Sequence, residues 1–231
     1  MAVRKYWTLE QVRNKIKRDL DIEGEAFIRS QELDDYINEA IDEAEAEIHS
    51  QYEDYFLTKA EINLVSNQAE YALPDNIFAH KIRRIVYDNS SSVYKDKRIQ
   101  DWRKFAQKAI ADNFETSDIY QYFLINEVAG APRILLVPKA REDGPQMTIW
   151  YIRQANRLEE STDILDIPEF ANFIFQYVKV RVYEKEVHPN AQQARLDLQQ
   201  QRSLMVGTLA SMTPDAENKI ELDMSHYEEM N

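Results

Sequence analysis

The chain has 231 residues, 44% of them hydrophobic, and a formal net charge of −13. That is enough apolar content for a sizeable core, and four glycines with seven prolines exclude a low-complexity chain. The absence of cysteine excludes disulfide staples and thiolate sites, and the negative charge opposes sequence-independent binding to phosphate backbones.

The N-terminus, MAVRKYWTLEQVRNK, lacks the apolar stretch of a secretion signal. No apolar run approaches the roughly 18 residues that span a bilayer. The expectation is a soluble protein made in a cytoplasm, with no membrane contact.

Thr8 opens the first predicted helix. Gln11 lies three residues on and completes a capping box, with Trp7 placed to staple onto Val12. Leu9, Val12, Ile16 and Leu20 form its apolar stripe. Ser30 is the expected cap of the second helix, which carries Leu33, Ile37, Ala40, Ile41, Ala44 and Ile48 and should run to about Tyr55. Residues 30–57 hold ten carboxylates and no Lys or Arg. The face bearing Asp34, Asp35, Glu39, Asp42 and Glu43 must therefore be wet or face a cationic partner.

From Lys59 the period changes to two, with Ala60, Ile62 and Leu64 alternating with polar residues. SNQ turns the chain into Tyr71-Ala72-Leu73. Pro74 cannot donate to a ladder, and Asp75-Asn76 suit a turn into KIRRIVYD, so YALPDNI reads as a strand-ending corner. The stretch Lys81–Lys108 is net basic. Asp101 can cap a short helix, WRKFAQKAIA, before three more strands, IYQYFLIN, RILLVP and MTIWYIRQ. These are apolar on both faces, as in a sandwich or small barrel packed against something else. Ile167-Pro168 then starts a helix with Phe170, Phe173, Ile174, Tyr177 and Val178 on one face. His188-Pro189-Asn190 breaks it, and a last helix carries Ala191, Ala194, Leu198, Met205, Leu209 and Met212. After Pro214 comes an acidic tail in which Ile220, Leu222 and Met224 alternate with Glu221 and Asp223.

The predicted fold is therefore α+β. Residues 1–57 and 166–212 form a helical bundle, 58–165 an inserted antiparallel β-sandwich or barrel lobe, and 213–231 an extended C-terminal arm.

Nothing in the sequence points to catalysis. No phosphate-binding glycine loop and no G-x-S-x-G elbow is present. His49 lies one turn after Glu45, but a di-iron bundle needs Glu-x-x-His and the residue three before His49 is Ala46. Neither a metal nor any other cofactor is expected. The tyrosines and phenylalanines sit at core spacing rather than as a stacking platform for bases.

In its order of elements the chain resembles the head-to-tail adaptor (connector) proteins of tailed bacteriophages, including the tail tubular protein A type. The shared pattern runs from TLEQVRNKIKRDL and ELDDYINEAIDEA through the YALPDNI corner and the RILLVPKA and MTIWYIRQ strands. It ends with the Ile167-Pro168-Glu169-Phe170 helix start and a charged C-terminal arm. The resemblance implies a non-enzymatic virion protein at the head–tail junction. It would form a self-associated ring, a dodecamer by resemblance, between the portal protein and a tail or nozzle protein, with DNA only passing through. The segregated charges supply candidate contacts between subunits or with the portal: Asp35, Glu39, Asp42 and Glu43 against Arg83, Arg84, Lys97 and Arg98. Ile220, Leu222, Met224 and Tyr227 are the candidate contacts of the arm. The alternative is an acidic DNA mimic that occupies a nucleic-acid-binding protein; it accounts for the charge of residues 30–57 but not for the doubly apolar strands.

Overall fold

The computed structural model describes residues 6–22, 27–88, 93–95, 97–98, 121–125, 132–137, 139–140, 143 and 146–212. The helix expected after Asp101 and the arm after Met212 lie outside them. The fold of the described residues is α+β, as predicted: four α-helices and two four-stranded sheets.

Helix α1 (Leu9–Leu20) begins with the predicted capping box. The Thr8 hydroxyl accepts from the Gln11 N–H at 3.3 Å, and the Gln11 side chain accepts from the Thr8 N–H at 3.1 Å. Leu9, Val12 and Ile16 are buried. Trp7, expected to staple onto Val12, meets the ring of Phe175 edge-on, with centroids 5.1 Å apart.

Helix α2 (Ser30–Gln51) buries all six residues of its predicted stripe. Its ends differ from expectation. Arg29 holds the cap position without a side-chain hydrogen bond, and the Ser30 hydroxyl instead accepts from Lys17 at 3.4 Å. The helix stops at Gln51, and a 3-10 turn (Glu53–Phe56) takes over, which buries Phe56 and delivers the chain into the first strand.

The strands are β1 (Leu57–Asn63), β2 (Glu70–Ala72), β3 (Ile77–Asp88), β4 (Val93–Lys95), β5 (Lys97–Arg98), β6 (Gln121–Ile125), β7 (Arg133–Val137) and β8 (Gln146–Arg153). One sheet has the order β1-β8-β3-β4 and the other β2-β7-β6-β5. All pairs are antiparallel except the short β5–β6 pair, which is parallel. Both sheets feed one core, with Ile85, Met147, Ile149 and Tyr151 from the first and Tyr71, Ile134, Leu136 and Tyr122 from the second.

The YALPDNI corner is tied to the end of β8. The Tyr151 hydroxyl donates to Asn76 Oδ1 at 2.9 Å, and the Gln154 N–H to the Asn76 carbonyl at 2.7 Å. Just beyond, Ala79 and His80 have positive φ (45° and 56°), and the β3–β8 register shifts there. Before this irregularity, Ile77 and Phe78 point to opposite faces as consecutive strand residues do, Ile77 into the sheet core and Phe78 onto the helical core.

Helix α3 (Ala171–Glu186) follows a 3-10 turn that begins at Pro168, and α4 (Ala191–Met212) follows a break at Val187–Asn190. The helical core joins α1–α4 with Phe56, Ile152, Leu158, Leu165 and Ile167. Ile152 explains why β8 reads as apolar on both faces: Tyr151 enters one core and Ile152 the other.

Between β8 and α3 the chain crosses the helices as an irregular strap, residues 154–167. Its backbone is bonded partly by its own Asp163 and Asp166, which accept from the N–H groups of Glu159, Glu160 and Asn156 at 2.8 Å, and partly by residues of the helices. Asn38 donates to the Leu158 carbonyl at 3.0 Å and accepts from the Leu158 N–H at 2.9 Å. Glu45 accepts from the Ala155 N–H at 3.0 Å. Thr8 and Ile164 form an isolated bridge, flanked by Leu9 N–H to Asp163 and Leu165 N–H to Trp7.

Asn38→Ala removes both bonds to Leu158 at once, and a loss of about 1–3 kcal/mol is expected in urea unfolding. Val187 closes α3 with φ 54° while 86% exposed, so its branched side chain is strained there and little packed. Val187→Gly should therefore stabilise the chain by about 1 kcal/mol, read as a raised Tm.

Candidate assembly interface

The acidic face of α2 is met by cations from four other parts of the chain. Arg13 of α1 grips Asp34 in a two-pronged bond, Nε to Oδ1 at 2.5 Å and the second nitrogen to Oδ2 at 2.6 Å. Arg157 of the strap donates to Asp42 at 2.6 Å. From α3, Lys185 donates to Glu32 at 2.6 Å. Arg181 sets its Nε 3.1 Å from Glu39, off the line of a hydrogen bond, while its guanidinium lies over the Tyr36 ring. From α4, Arg202 reaches Glu43 at 2.8 Å and Glu47 at 3.7 Å.

Glu39, Asp42 and Glu43, three of the acids expected to meet a neighbour, thus have partners within their own chain. Asp35 is exposed and lies near enough to Arg157 to act on its charge. On the basic side, Arg83 and Lys81 both pair with Glu53 in the 3-10 turn after α2, and Arg83 reaches Asp54 at 2.7 Å. Arg84 is exposed on β3, opposite Trp150 of β8. Lys97 and Arg98 form β5, in the other sheet. The two basic segments are therefore held on different sheets, and the described contacts bring neither to the four named acids. Ile220, Leu222, Met224 and Tyr227 lie outside the described residues.

The partners Arg13, Arg157, Arg181 and Arg202 were not singled out in the sequence. Part of the signal was present: Arg181 and Lys185 stand one turn apart on α3, facing Glu39 and Glu32 in antiparallel order. What was missing was which helix faces which.

His49 packs flat on Phe78, with ring centroids 3.7 Å apart, and its Nε2 lies 3.3 Å from Glu45 Oε1. Its Nδ1 has no hydrogen-bond partner. The same Glu45 oxygen accepts from the strap at Ala155, so this pair joins β3, α2 and the strap. No group of three or more His, Cys, Asp or Glu among the described residues could hold a metal ion. A groove along α1 is lined, among the described residues, by Trp7, Gln11, Asn14, Lys17 and Arg18, which offer cations and amides. No helix of the described residues is long and apolar enough to cross a membrane.

Residues 7–218 match the family described as SU10 adaptor protein, which covers nearly the whole chain. The chain belongs to that family. It is accordingly a phage structural adaptor, a virion component that contacts other phage structural proteins. No curated protein matches it.

The adaptor's ion pairs set its acid response. Lys185, helped by the Tyr36 hydroxyl, holds the Glu32 carboxyl below its ordinary value of 4.5, and Lys81 with Arg83 does the same for Glu53. A depressed folded-state value gives stability that is complete above the ordinary value and lost as pH falls through the lowered one. Glu32→Gln and Glu53→Gln should each flatten the fall of stability with pH below about 4.5 and lower stability at neutral pH. Denaturant titrations across that range measure both effects.

Proposed function

We propose that the chain is a subunit of a ring that joins the portal to the tail of a tailed phage and continues the DNA channel, in the manner of the tail tubular protein A type. The family match across residues 7–218 carries this reading. Its architecture is the helical bundle of residues 1–57 and 166–212, the sheet lobe of 58–165 and an arm of 213–231. Repeated head-to-tail contact between identical subunits closes a ring when the rotation per contact divides the circle, and a dodecamer is the proposed number. Arg84, Lys97, Arg98 and Asp35 are the charges proposed to meet a neighbouring subunit or the portal. An acidic channel wall would let DNA pass without sticking, because phosphate contacts create affinity.

The DNA-mimic reading fits less well. Asp34, Glu39, Asp42 and Glu43 each lie beside an arginine of the same chain, so the acids of α2 are not displayed as a bare row of phosphate-like charges.

Mass measurement of the purified protein with and without its portal tests the proposal. The expected result is a closed multimer that joins the portal, in the virion or in solution. A chain that stays monomeric and leaves the portal unbound at every concentration overturns it. Truncation after Thr213 should leave helix content and melting unchanged and abolish portal attachment. If the shortened chain joins portals as tightly as the full chain, the arm has no part in docking.

A further inference from the structure

Strand β1 forms one edge of its sheet. It pairs with β8 along Leu57–Asn63, and no strand among the described residues pairs with its other side. Such an edge presents a row of backbone donors and acceptors to any extended segment that fits. Its two faces differ. Leu57, Lys59, Glu61 and Asn63 are exposed, whereas Thr58, Ala60 and Ile62 are half-buried, with Ala60 and Ile62 at the margin of the sheet core.

The segment Lys219–Met224, KIELDM, has the same period and the matching chemistry. If its charged residues share the face of Lys59 and Glu61, then Ile220, Leu222 and Met224 share the face of Ala60 and Ile62 and extend the apolar margin. Charge also selects direction and register. In the antiparallel arrangement with Lys59 opposite Glu221, Lys219 falls opposite Glu61, giving two cross-strand pairs of opposite sign. The antiparallel alternative with Lys59 opposite Asp223 sets Glu221 against Glu61. A parallel strand with Lys59 opposite Glu221 sets Asp223 against Glu61.

The position of α4 argues for a second copy as the donor. Arg202 lies beside Glu43 and Glu47 of α2, and ten further residues rise about 15 Å, to the level where α2 ends and β1 begins. To reach this register in its own chain, the link of residues 213–218 would have to climb along β1 to Glu61 and reverse. Fully extended, those six residues span about 20 Å, of which the climb from Leu57 to Glu61 takes about 13 Å and leaves about two residues for the reversal. A neighbouring subunit requires no such reversal.

We propose that β1 is the acceptor edge for Lys219–Met224 of a second copy of this chain, added antiparallel with Lys59 opposite Glu221 and Glu61 opposite Lys219. The contact rests on the reading of the chain as a repeating subunit and names the surface that receives its arm. The present bond between Lys59 and Glu61, at 2.7 Å, joins two exposed side chains and is weak enough to be exchanged for the cross-strand pairs.

The chain has no cysteine, which gives a direct test on the full-length protein. Glu61→Cys combined with Lys219→Cys should form disulfide-linked dimers and longer ladders on mild oxidation. Glu61→Cys with Asp223→Cys, which is out of register, should form far fewer. Without any cysteine, backbone amides of β1 should exchange more slowly as protein concentration rises, and Lys59→Glu should weaken that protection several-fold. Combining Lys59→Glu with Glu221→Lys should restore it. A cross-link within a single chain would place the segment on its own β1 and overturn the proposal. Equal cross-linking by both cysteine pairs, or β1 exchange independent of concentration, also overturns it. A defined ring that forms without in-register cross-links defeats this contact and leaves the ring reading standing.

Discussion

A polypeptide that leaves a sheet and crosses to a helical bundle must satisfy its backbone on the way, and here α2 and the start of α1 do much of that. The strap of residues 154–167 has almost no regular structure; Asp163 and Asp166 accept from three of its own N–H groups, and much of the rest depends on the surfaces it crosses. Asn38 serves Leu158 much as a neighbouring strand would, with one donor and one acceptor. Glu45 receives Ala155, and the turn before α1 bonds both sides of Ile164. Leu158, Leu165 and Ile167 are thereby placed in the helical core. Without that anchoring, the strap would carry exposed apolar side chains and unpaired backbone.

The same helix organises charge. Its carboxylates are spread over several turns, and α1, the strap, α3 and α4 each bring at least one cation to them. Exposed pairs such as Arg157–Asp42 contribute little singly, about 0–1 kcal/mol. Their joint effect is on specificity, because sliding or rotating any helix against α2 would leave several charges facing the wrong partner. The two-pronged Arg13–Asp34 bond is the most directional of the set, and it fixes α1 against α2.

Local signals in the sequence translated well into structure. The Thr8–Gln11 box, the six-residue stripe of α2, the corner at Leu73-Pro74-Asp75-Asn76 and the start at Pro168 all depend on residues within a few positions of one another. The features that were not legible join distant positions. Ser30 looked like a cap, but its hydroxyl faces Lys17 across a loop. The acids of α2 looked available to a neighbour, yet Arg157, Arg181 and Arg202 come from more than a hundred residues away. Nothing local to the sequence specifies that β1 pairs with β8, or that β5 and β6 run parallel. Those outcomes follow from how two apolar cores divide the chain, a global constraint that periodicity does not report.

The pairing of Leu57 with Ile152 places the first residue of β1 next to the last residues before the strap. The described sheets thus join the helices through a two-stranded stem, beside which β3 touches the helical core at Phe78. Seen from the helices, the stem ends are the same whether the intervening chain is long or short. Such a join isolates size changes: material can be added to or removed from the far part of the sheets while α1–α4 keep their mutual arrangement. The helices and the sheets are then free to diverge at different rates, each answering to a different set of neighbours.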